Sequence, residues 1–529
     1  MALHFFKFTY PLHARRLAWG GFALHAVLGA MLGLSVDEAH YALYATHLAL
    51  SYFDHPPLVG WVQWPLVALH APDAVLRLIP GALWLGTVVL AQRCAIALVS
   101  SEGASTDSEA ARAGGTWTVL VLLLAPLLHV LGIGLLPDTL LMFFSAALLL
   151  LTLRMTQHAN GTPTRPATPP GLPSFVLLGV LLGLAGLSKY TAIFSALAVA
   201  LCLLQAFGLP IFRAPGLWLA FAIALVLVAP VPWWNAQNQW ISFTYQAKHG
   251  SGDAWQVIHL LRFVVVQLLA YGPLLLLGVA GLRQVAVPKR SLGLFFAIPF
   301  AVLLFLSGGG TGLPHWTAPA WVALAPFAGV GLAAAWHTAR KRWLLLSLVA
   351  LQVVACVGLL GLMVSGGMPF MAGRAASAQD TNPPNPFADL HGWDAAGARA
   401  FALAQGAGLQ SVSVQNWTLA SRIGWYASPL PVHVLEDRFD QFDLWAGKLP
   451  VGGNTLLVDW SQQPYVTPLG AHGFVGCKLL DHLDVQRLGY ALAGFDFYDC
   501  RGWSGDPAPA LKPASKPDAQ AVVQTPVKS

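Results

Sequence analysis

Long apolar runs, separated by short polar breaks, dominate the first two thirds of this chain. Runs of about 20 apolar residues, enough to cross a hydrocarbon core as a helix, occur near 18–34, 75–99, 116–133, 139–154, 215–233, 257–282, 292–308, 316–336 and 344–366. The stretch 174–207 is long enough for two shorter helices broken at "LSKY". The pattern predicts a mainly α, polytopic membrane protein of about 11 transmembrane helices. From 367 to 502 the period changes: a helical segment, "WDAAGARAFALAQGAG", precedes β-branched stretches such as "LQSVSVQNW" and "GNTLLVDW". Helix followed by strand predicts a small α/β domain. The expected boundaries are therefore a membrane domain at 1–366 with a first outer loop at 35–74, an α/β domain at 367–502 and a disordered Pro/Ala/Lys-rich tail at 503–529. "HANGTPTRPATPPG" reads as a linker.

Composition sharpens this picture. Of 529 residues, 56% are hydrophobic and 10% charged, and the mean hydropathy is +0.62. Soluble domains carry about 25% charged residues, so this chain has too few to cover a water-facing surface. The net charge of +6 is spread over short loops rather than gathered in a patch, which argues against nucleic acid. The first apolar run leads into a polar segment without a convincing cleavage site and reads as a span rather than a signal peptide.

Basic residues also set an expected orientation. One set of loops holds Lys7, Arg15, Arg16, Arg112, Arg154, Arg165, Arg213, Arg283, Lys289, Arg290, Arg340, Lys341 and Arg342, whereas the opposite set holds only Lys189 and Lys248. This predicts a cytoplasmic N-terminus and an outward C-terminal domain. Cys94, Cys202 and Cys356 lie in apolar runs, where a thiol behaves as a small hydrophobe. Cys477 and Cys500 lie in the outer domain and are candidates for a disulfide.

The polar segment "DEAHYALYATHLALSYFDHPP" follows the first span. From Ala39 to Tyr52 it reads as a helix on the outer membrane surface, with Tyr41, Tyr44, Leu48 and Tyr52 on one stripe and His40, Leu43 and His47 on another. Asp37 and Glu38 open it, and Asp54 and His55 follow it. Ser35 to Glu38 fits a capping box, so two readings stand here: helix capping, or a reactive acid cluster. Asp138 in "GLLPDTLLMFF", Lys189 at its helix break and His315 in "TGLPHWTAPAW" fall at the same expected face. Ionisable groups at membrane depth are costly and mark sites.

A lipid-borne substrate with a charged head would meet these groups there; Lys189, His55 and His315 are candidates to face its charge, and Asp37 is the candidate base. Glu38, Tyr41, Asn235, Gln246 and His249 are candidate substrate contacts. Asp54, with Glu38 or His55, is a candidate metal ligand: oxygen ligands favour Mg or Mn, mixed oxygen and nitrogen ligands favour Zn.

These residues give the sequence a likeness. Over the stretch from the first span to about residue 335, "DEAHYALYATHLALSYFDHPPLVGW", "LLPDTLLMFF", "GLSKYTAIF", "PWWNAQNQWISFTYQ" and "PHWTAPAW" resemble, in order, motifs of bacterial GT-C membrane glycosyltransferases related to protein O-mannosyltransferases and the lipid A aminoarabinose transferase. The resemblance implies inverting transfer of a sugar from a polyprenyl-phosphate donor, at the periplasmic side of the bacterial inner membrane. The acceptor would be lipid A, another glycolipid, a glycan or a protein. It implies Asp37 as catalytic base, Asp138 as the second loop acid and Lys189 as the cation that meets the donor phosphate. The aminoarabinose relative has Glu-Lys where this chain has Asp54-His55, and His is mostly neutral near pH 7. A transporter or flippase is the competing class, but transporters place polar groups near the bilayer midplane with internal repeats, and this chain shows no repeat.

Overall fold

A computed structural model describes residues 12–99, 108–157, 169–252, 254–371, 384–463 and 473–506. Residues 158–168 of the expected linker and 507–529 of the expected 503–529 tail lie outside the described residues, whereas Trp503 ends a strand and is buried. The chain divides into two compact units, Met1–Met31 with Tyr44–Leu360, and Leu32–Leu43 with Gly361–Ser529.

The first unit is helical and apolar, that of a membrane protein. Five of its described helices are long and apolar enough to cross a membrane: Asp73–Val99, Pro137–Gln157, Val287–Gly309, Pro314–Trp336 and Ala339–Ser365. Four helix pairs are sharply bent at short breaks, among them Glu109–Leu123 with Pro126–Ile133, and Val257–Tyr271 with Pro273–Gln284. Leu172–Ser188 and Ala192–Phe207 are shorter apolar helices, separated where the sequence reads "LSKY".

Helix α1 (Leu12–Met31) precedes α2 (Val36–Thr46). The boundary between the compact units falls inside α2. This helix ends at Thr46 rather than continuing to Tyr52. Helix ends leave carbonyls unpaired, and here the Tyr52 hydroxyl donates to the carbonyls of Tyr44 (2.8 Å) and His47 (3.0 Å) while accepting the Ala49 N–H (3.1 Å). Tyr52 therefore closes the helix, where its spacing had suggested that it extends the stripe.

Helix α3 (Pro137–Gln157) is buried along most of its length and carries Pro at its first position, where no N–H is missed. Its neighbour α4 (Leu172–Ser188) packs on the helix Pro215–Val228 through a glycine face. A Cβ at Gly179 would come within 2.6 Å of the Ala220 carbonyl oxygen, and one at Gly183 within 2.6 Å of the Leu227 Cβ. Small residues let helix backbones approach this closely in lipid. Helix α5 (Ala192–Phe207) follows. The helix α6 (Ile241–Ser251) is short and polar, and α7 (Ala318–Trp336) is buried over nearly its whole surface.

The second unit holds a five-stranded sheet in the order β2-β1-β3-β5-β4. Strands β1 (Val412–Val414), β2 (Val432–Val434) and β3 (Thr455–Trp460) pair in parallel, while β4 (Phe474–Arg487) and β5 (Tyr490–Trp503) form a long hairpin that joins antiparallel to β3. Helices α8 (Trp393–Gly406), α9 (Trp417–Tyr426) and α10 (Gln441–Trp445) accompany it. The core gathers Trp393, Val412, Val414, Ile423, Trp460, Phe495 and Phe497. The expected small sheet domain is present. Its β4–β5 hairpin, which the sequence pattern did not single out, supplies the two longest strands, and β4 alternates without a strong apolar face. Cys477 and Cys500 face each other across this hairpin and form a disulfide.

Candidate functional site

Within the first unit, three residues distant in sequence meet at helix ends. Asp138 lies in the first turn of α3, where the helix dipole favours an anion. The segment before it is fixed by Thr139, which accepts the Leu136 N–H at 3.3 Å and reaches the Leu131 carbonyl at 3.1 Å. Lys189 follows α4 in extended conformation, so its side chain leaves the helix axis. Its Nζ donates to Asp138 Oδ1 at 2.7 Å and Oδ2 at 2.6 Å. His315 Nε2 lies 3.8 Å from Asp138 Oδ2, and His55 is near enough for its charge to act on the same carboxylate.

The pair is deeply buried, with Asp138 1% and Lys189 5% exposed. Desolvating two charges offsets most of their attraction, so a buried ion pair is a poor stabiliser. A chemical role accounts better for its position. The turn that presents His315 is fastened from Val257–Tyr271: the Tyr271 hydroxyl donates to the Pro314 carbonyl at 2.9 Å, and Gln267 Oε1 accepts from Thr317 Oγ1 at 2.5 Å and Trp321 Nε1 at 2.8 Å. Lys189 Nζ also stands 5.6 Å over the Trp316 ring. His249 packs edge-on to that same ring at 5.4 Å and stacks on Tyr245. His249 thus joins the cluster through Trp316.

Asp54 belongs to the same unit. Its carboxylate accepts from the Tyr44 hydroxyl, and its main-chain carbonyl accepts from Gln246 Nε2 at 2.5 Å. Gln246 therefore grips the loop that carries Asp54 and His55. Asn235 is fully buried, with Nδ2 on the Val231 carbonyl at 3.1 Å and Oδ1 accepting the Ser242 N–H at 3.1 Å. Both ends of this amide hold the turn before α6, a scaffold position rather than an open substrate contact. Tyr44 and the residue after Lys189, Tyr190, are members of this neighbourhood that sequence reasoning passed over. Their signal was adjacency: Tyr190 directly follows the lone cation.

Asp37, Glu38 and Tyr41 fall in the second unit. The Ser35–Glu38 cap forms: Glu38 Oε2 accepts from Ser35 N (3.1 Å) and Ser35 Oγ (2.9 Å). Glu38 is thus engaged as a helix cap. Tyr41 is buried, its ring 5.6 Å from His40. Asp37 stays half-buried and acts electrostatically on Arg422, a fully buried cation paired with Asp389 and stacked 3.7 Å over Trp393. Burial lowers the Arg422 pKa to about 10, with Asp389 pulling the other way. Nothing in the spacing of "LASRIGW" marked this arginine.

Among the described residues, no group of three His, Cys, Asp or Glu side chains is placed to hold a metal ion. The Asp54 carboxylate accepts from Tyr44, and that of Glu38 from Ser35.

The second unit also contains an acid cluster beside α2. Asp440 caps α10 by accepting the Phe442 N–H at 2.7 Å, and Glu436 Oε1 is buried without a hydrogen-bond partner. Burial first, then the neighbouring Asp440, raises Glu436 to about 7; burial first, with Asp443 adding, raises Asp440 to about 6. Arg438, and for Asp440 also His40, oppose these shifts. Folded pKa values above the unfolded ones mean that the folded state binds more protons, so stability falls as pH rises. Thermal melts of the purified chain should show the sheet unit losing stability from about pH 4 to about pH 7, where Glu436 is the last of the two to ionise. Glu436→Gln with Asp440→Asn, which keeps the capping oxygen, should flatten that slope. An unchanged slope would reject this origin.

Comparison with known proteins places this geometry. Residues 54–234 match the family model described as Dolichyl-phosphate-mannose-protein mannosyltransferase. The chain is 25% identical over 300 residues to the lipid A galacturonosyltransferase RgtD of Rhizobium johnstonii, a span of 54% of this chain and 58% of that relative. The chain therefore matches little more than half the length of this relative. In structure it is similar to ArnT from Cupriavidus metallidurans, in the apo state (TM-score 0.57, 16% identity) and bound to undecaprenyl phosphate (TM-score 0.59, 17% identity). Each likeness covers 91% of this chain and 97% of the other. The fold is that of ArnT, a GT-C fold, and parts of the chain are similar in sequence to the mannosyltransferase family model and to a lipid A galacturonosyltransferase.

Proposed function

We propose that this protein is a GT-C glycosyltransferase that moves a sugar from a polyprenyl-phosphate donor to lipid A or a similar envelope glycolipid, at the periplasmic face of a bacterial inner membrane. In this reading about eleven helices cross the bilayer, the N-terminus is cytoplasmic and the sheet unit is periplasmic. The observation that carries it is the buried Asp138–Lys189–His315 cluster. An ammonium has three donors, and Asp138 engages two, leaving one for a phosphate oxygen. Asp138 holds the cation in place while the pair stays close to neutral, so an arriving phosphate monoanion or dianion supplies the charge that Lys189 and His315 are arranged to meet.

Transfer is a single displacement. The acceptor oxygen bonds to the anomeric carbon as the bond from that carbon to the phosphate oxygen breaks, inverting the centre. The acceptor proton passes to Asp37, and the prenyl phosphate leaves with the bonding electrons toward Lys189. The bare prenyl phosphate named in the ArnT complex and the lipid A acceptor named for the galacturonosyltransferase support the two substrate classes. Burial of the prenyl chain among the helices contributes affinity at ~0.8 kcal/mol per CH₂. The test is mass spectrometry of envelope glycolipids with and without the gene, followed by transfer with purified protein. One missing sugar, restored by the protein, is expected. Lipid or solute uptake by the reconstituted protein without any transfer would sink the proposal.

A further inference from the structure

Asp37 stands in the first turn of α2, and the chain on either side of it is fastened to two other segments of the second unit. One turn before it, the Gly33 N–H donates to the Leu390 carbonyl at 3.0 Å and the Leu34 N–H to the Tyr426 hydroxyl at 2.9 Å. The approach at Gly33 is tight, since a Cβ there would come within 3.1 Å of the same Leu390 oxygen. One turn after Asp37, His40 Nδ1 lies 3.2 Å from Ser421 Oγ. Leu34, Ala39 and Ala42 pack with Trp425 and Tyr426. The helix start is therefore pinned to α9 and to the short turn Pro386–Leu390.

Those two segments are joined to each other at Arg422. Its guanidinium is fully buried, pairs with Asp389 and donates from Nε to the Thr418 carbonyl at 3.2 Å. It stacks 3.7 Å over Trp393 and 4.9 Å over Trp460. Asp389 directly precedes Leu390, and Tyr426 lies one turn beyond Arg422 on α9. One ion pair thus fixes both acceptors that hold the backbone ahead of Asp37. As a stabiliser the arrangement is poor. Desolvation offsets most of the attraction in a buried pair, and Arg422 Nη2 is left without a hydrogen-bond partner, which costs further stability. An apolar side chain would serve this core as well, so packing does not account for the arginine. Asp389, Asp37 and Tyr426 are the titratable groups that act on its charge.

We propose that Arg422, through its ion pair with Asp389, is the positioning residue of the base: by joining the Pro386–Leu390 turn to α9 it fixes the helix start from which Asp37 takes the acceptor proton. The inference rests on the Asp37 reading above and deepens it by naming what holds that carboxylate in place.

The test is a double-mutant cycle on the full-length protein in detergent, with transfer rates normalised to the folded fraction seen in thermal melts. Arg422→Gln combined with Asp389→Asn removes both charges together, so that neither is stranded. The paired change should lower kcat about 10- to 100-fold, the cost of a misplaced catalytic group, with KM for the donor nearly constant. In the Asp37→Asn background the same change should lower the residual rate less than about 2-fold, because residues that act as a unit are not additive. A purely structural arginine would lower the rate equally in both backgrounds, and that result overturns the proposal. A wild-type rate in the paired variant overturns it too. If the paired variant does not fold, Tyr426→Phe carries the same cycle, since it removes one hydroxyl from the Leu34 N–H. It should lower kcat about 3- to 10-fold, the worth of one hydrogen bond, and add nothing to Asp37→Asn; equal losses in both backgrounds again overturn the proposal. Near-normal turnover of Asp37→Asn alone rejects the base reading, and the positioning role with it. Loss of transfer in Asp37→Asn beside an unaffected paired variant rejects the positioning role and leaves the base reading standing.

Discussion

Asp37→Asn should lower the transfer rate by about 10²- to 10⁴-fold, the contribution of a positioned general base, with the protein still folded. Asn is close to isosteric, and the helix start that carries it is held by other groups: the Ser35–Glu38 cap remains, and Arg422 keeps Asp389 as its ion-pair partner. The proton acceptor is lost while these contacts remain. Steady-state transfer assays would show kcat falling with KM for the donor nearly constant, together with loss of the acidic limb of the pH–rate profile. Near-normal turnover would remove Asp37 from the mechanism. A role confined to helix capping predicts instead a lower melting temperature and intact chemistry.

Lys189→Met should do more damage than any surface change, because it acts on stability and chemistry together. It strands Asp138, 1% exposed, without the cation that engages both its oxygens. Breaking one side of a buried pair costs about 3–5 kcal/mol. Pairing it with Asp138→Leu removes the stranded charge as well, and replacement of a buried pair by apolar residues is often neutral or stabilising. The double variant should therefore melt near wild type yet neither bind undecaprenyl phosphate nor transfer sugar. Recovery of stability without activity separates the chemical role from the structural one. Recovery of both would mean that the pair is only packing.

Much of this architecture is legible in the chain because a membrane imposes a simple code. Apolar run length marks helices, and an ionisable residue left at a helix break has few reasons to be there beyond chemistry. Asp138, Lys189 and His315 could be singled out on that basis, and they meet. The Ser35–Glu38 cap was readable because its spacing is local. What stayed hidden depends on contacts between distant segments. Tyr52 looks like one more residue of a helical stripe until its hydroxyl is seen on the carbonyls of Tyr44 and His47. Arg422 sits in a helix with no motif, and its setting between Asp389 and Trp393 exists only once the sheet unit has folded. Asn235, attractive as a loop amide, turns out to be occupied with its own turn, since polarity alone does not reveal whether a group is already satisfied.

The glycine face of α4 has a consequence for where Lys189 stands. The close approach of Gly179 to the Ala220 backbone and of Gly183 to the Leu227 side chain leaves no slack for one rod to ride along the other. Lys189 hangs at the end of that rod, roughly 15 Å beyond Gly179 at 1.5 Å per residue. Two hydrogen atoms in place of side chains therefore act as a gauge, fixing how far along its neighbour the ammonium is carried.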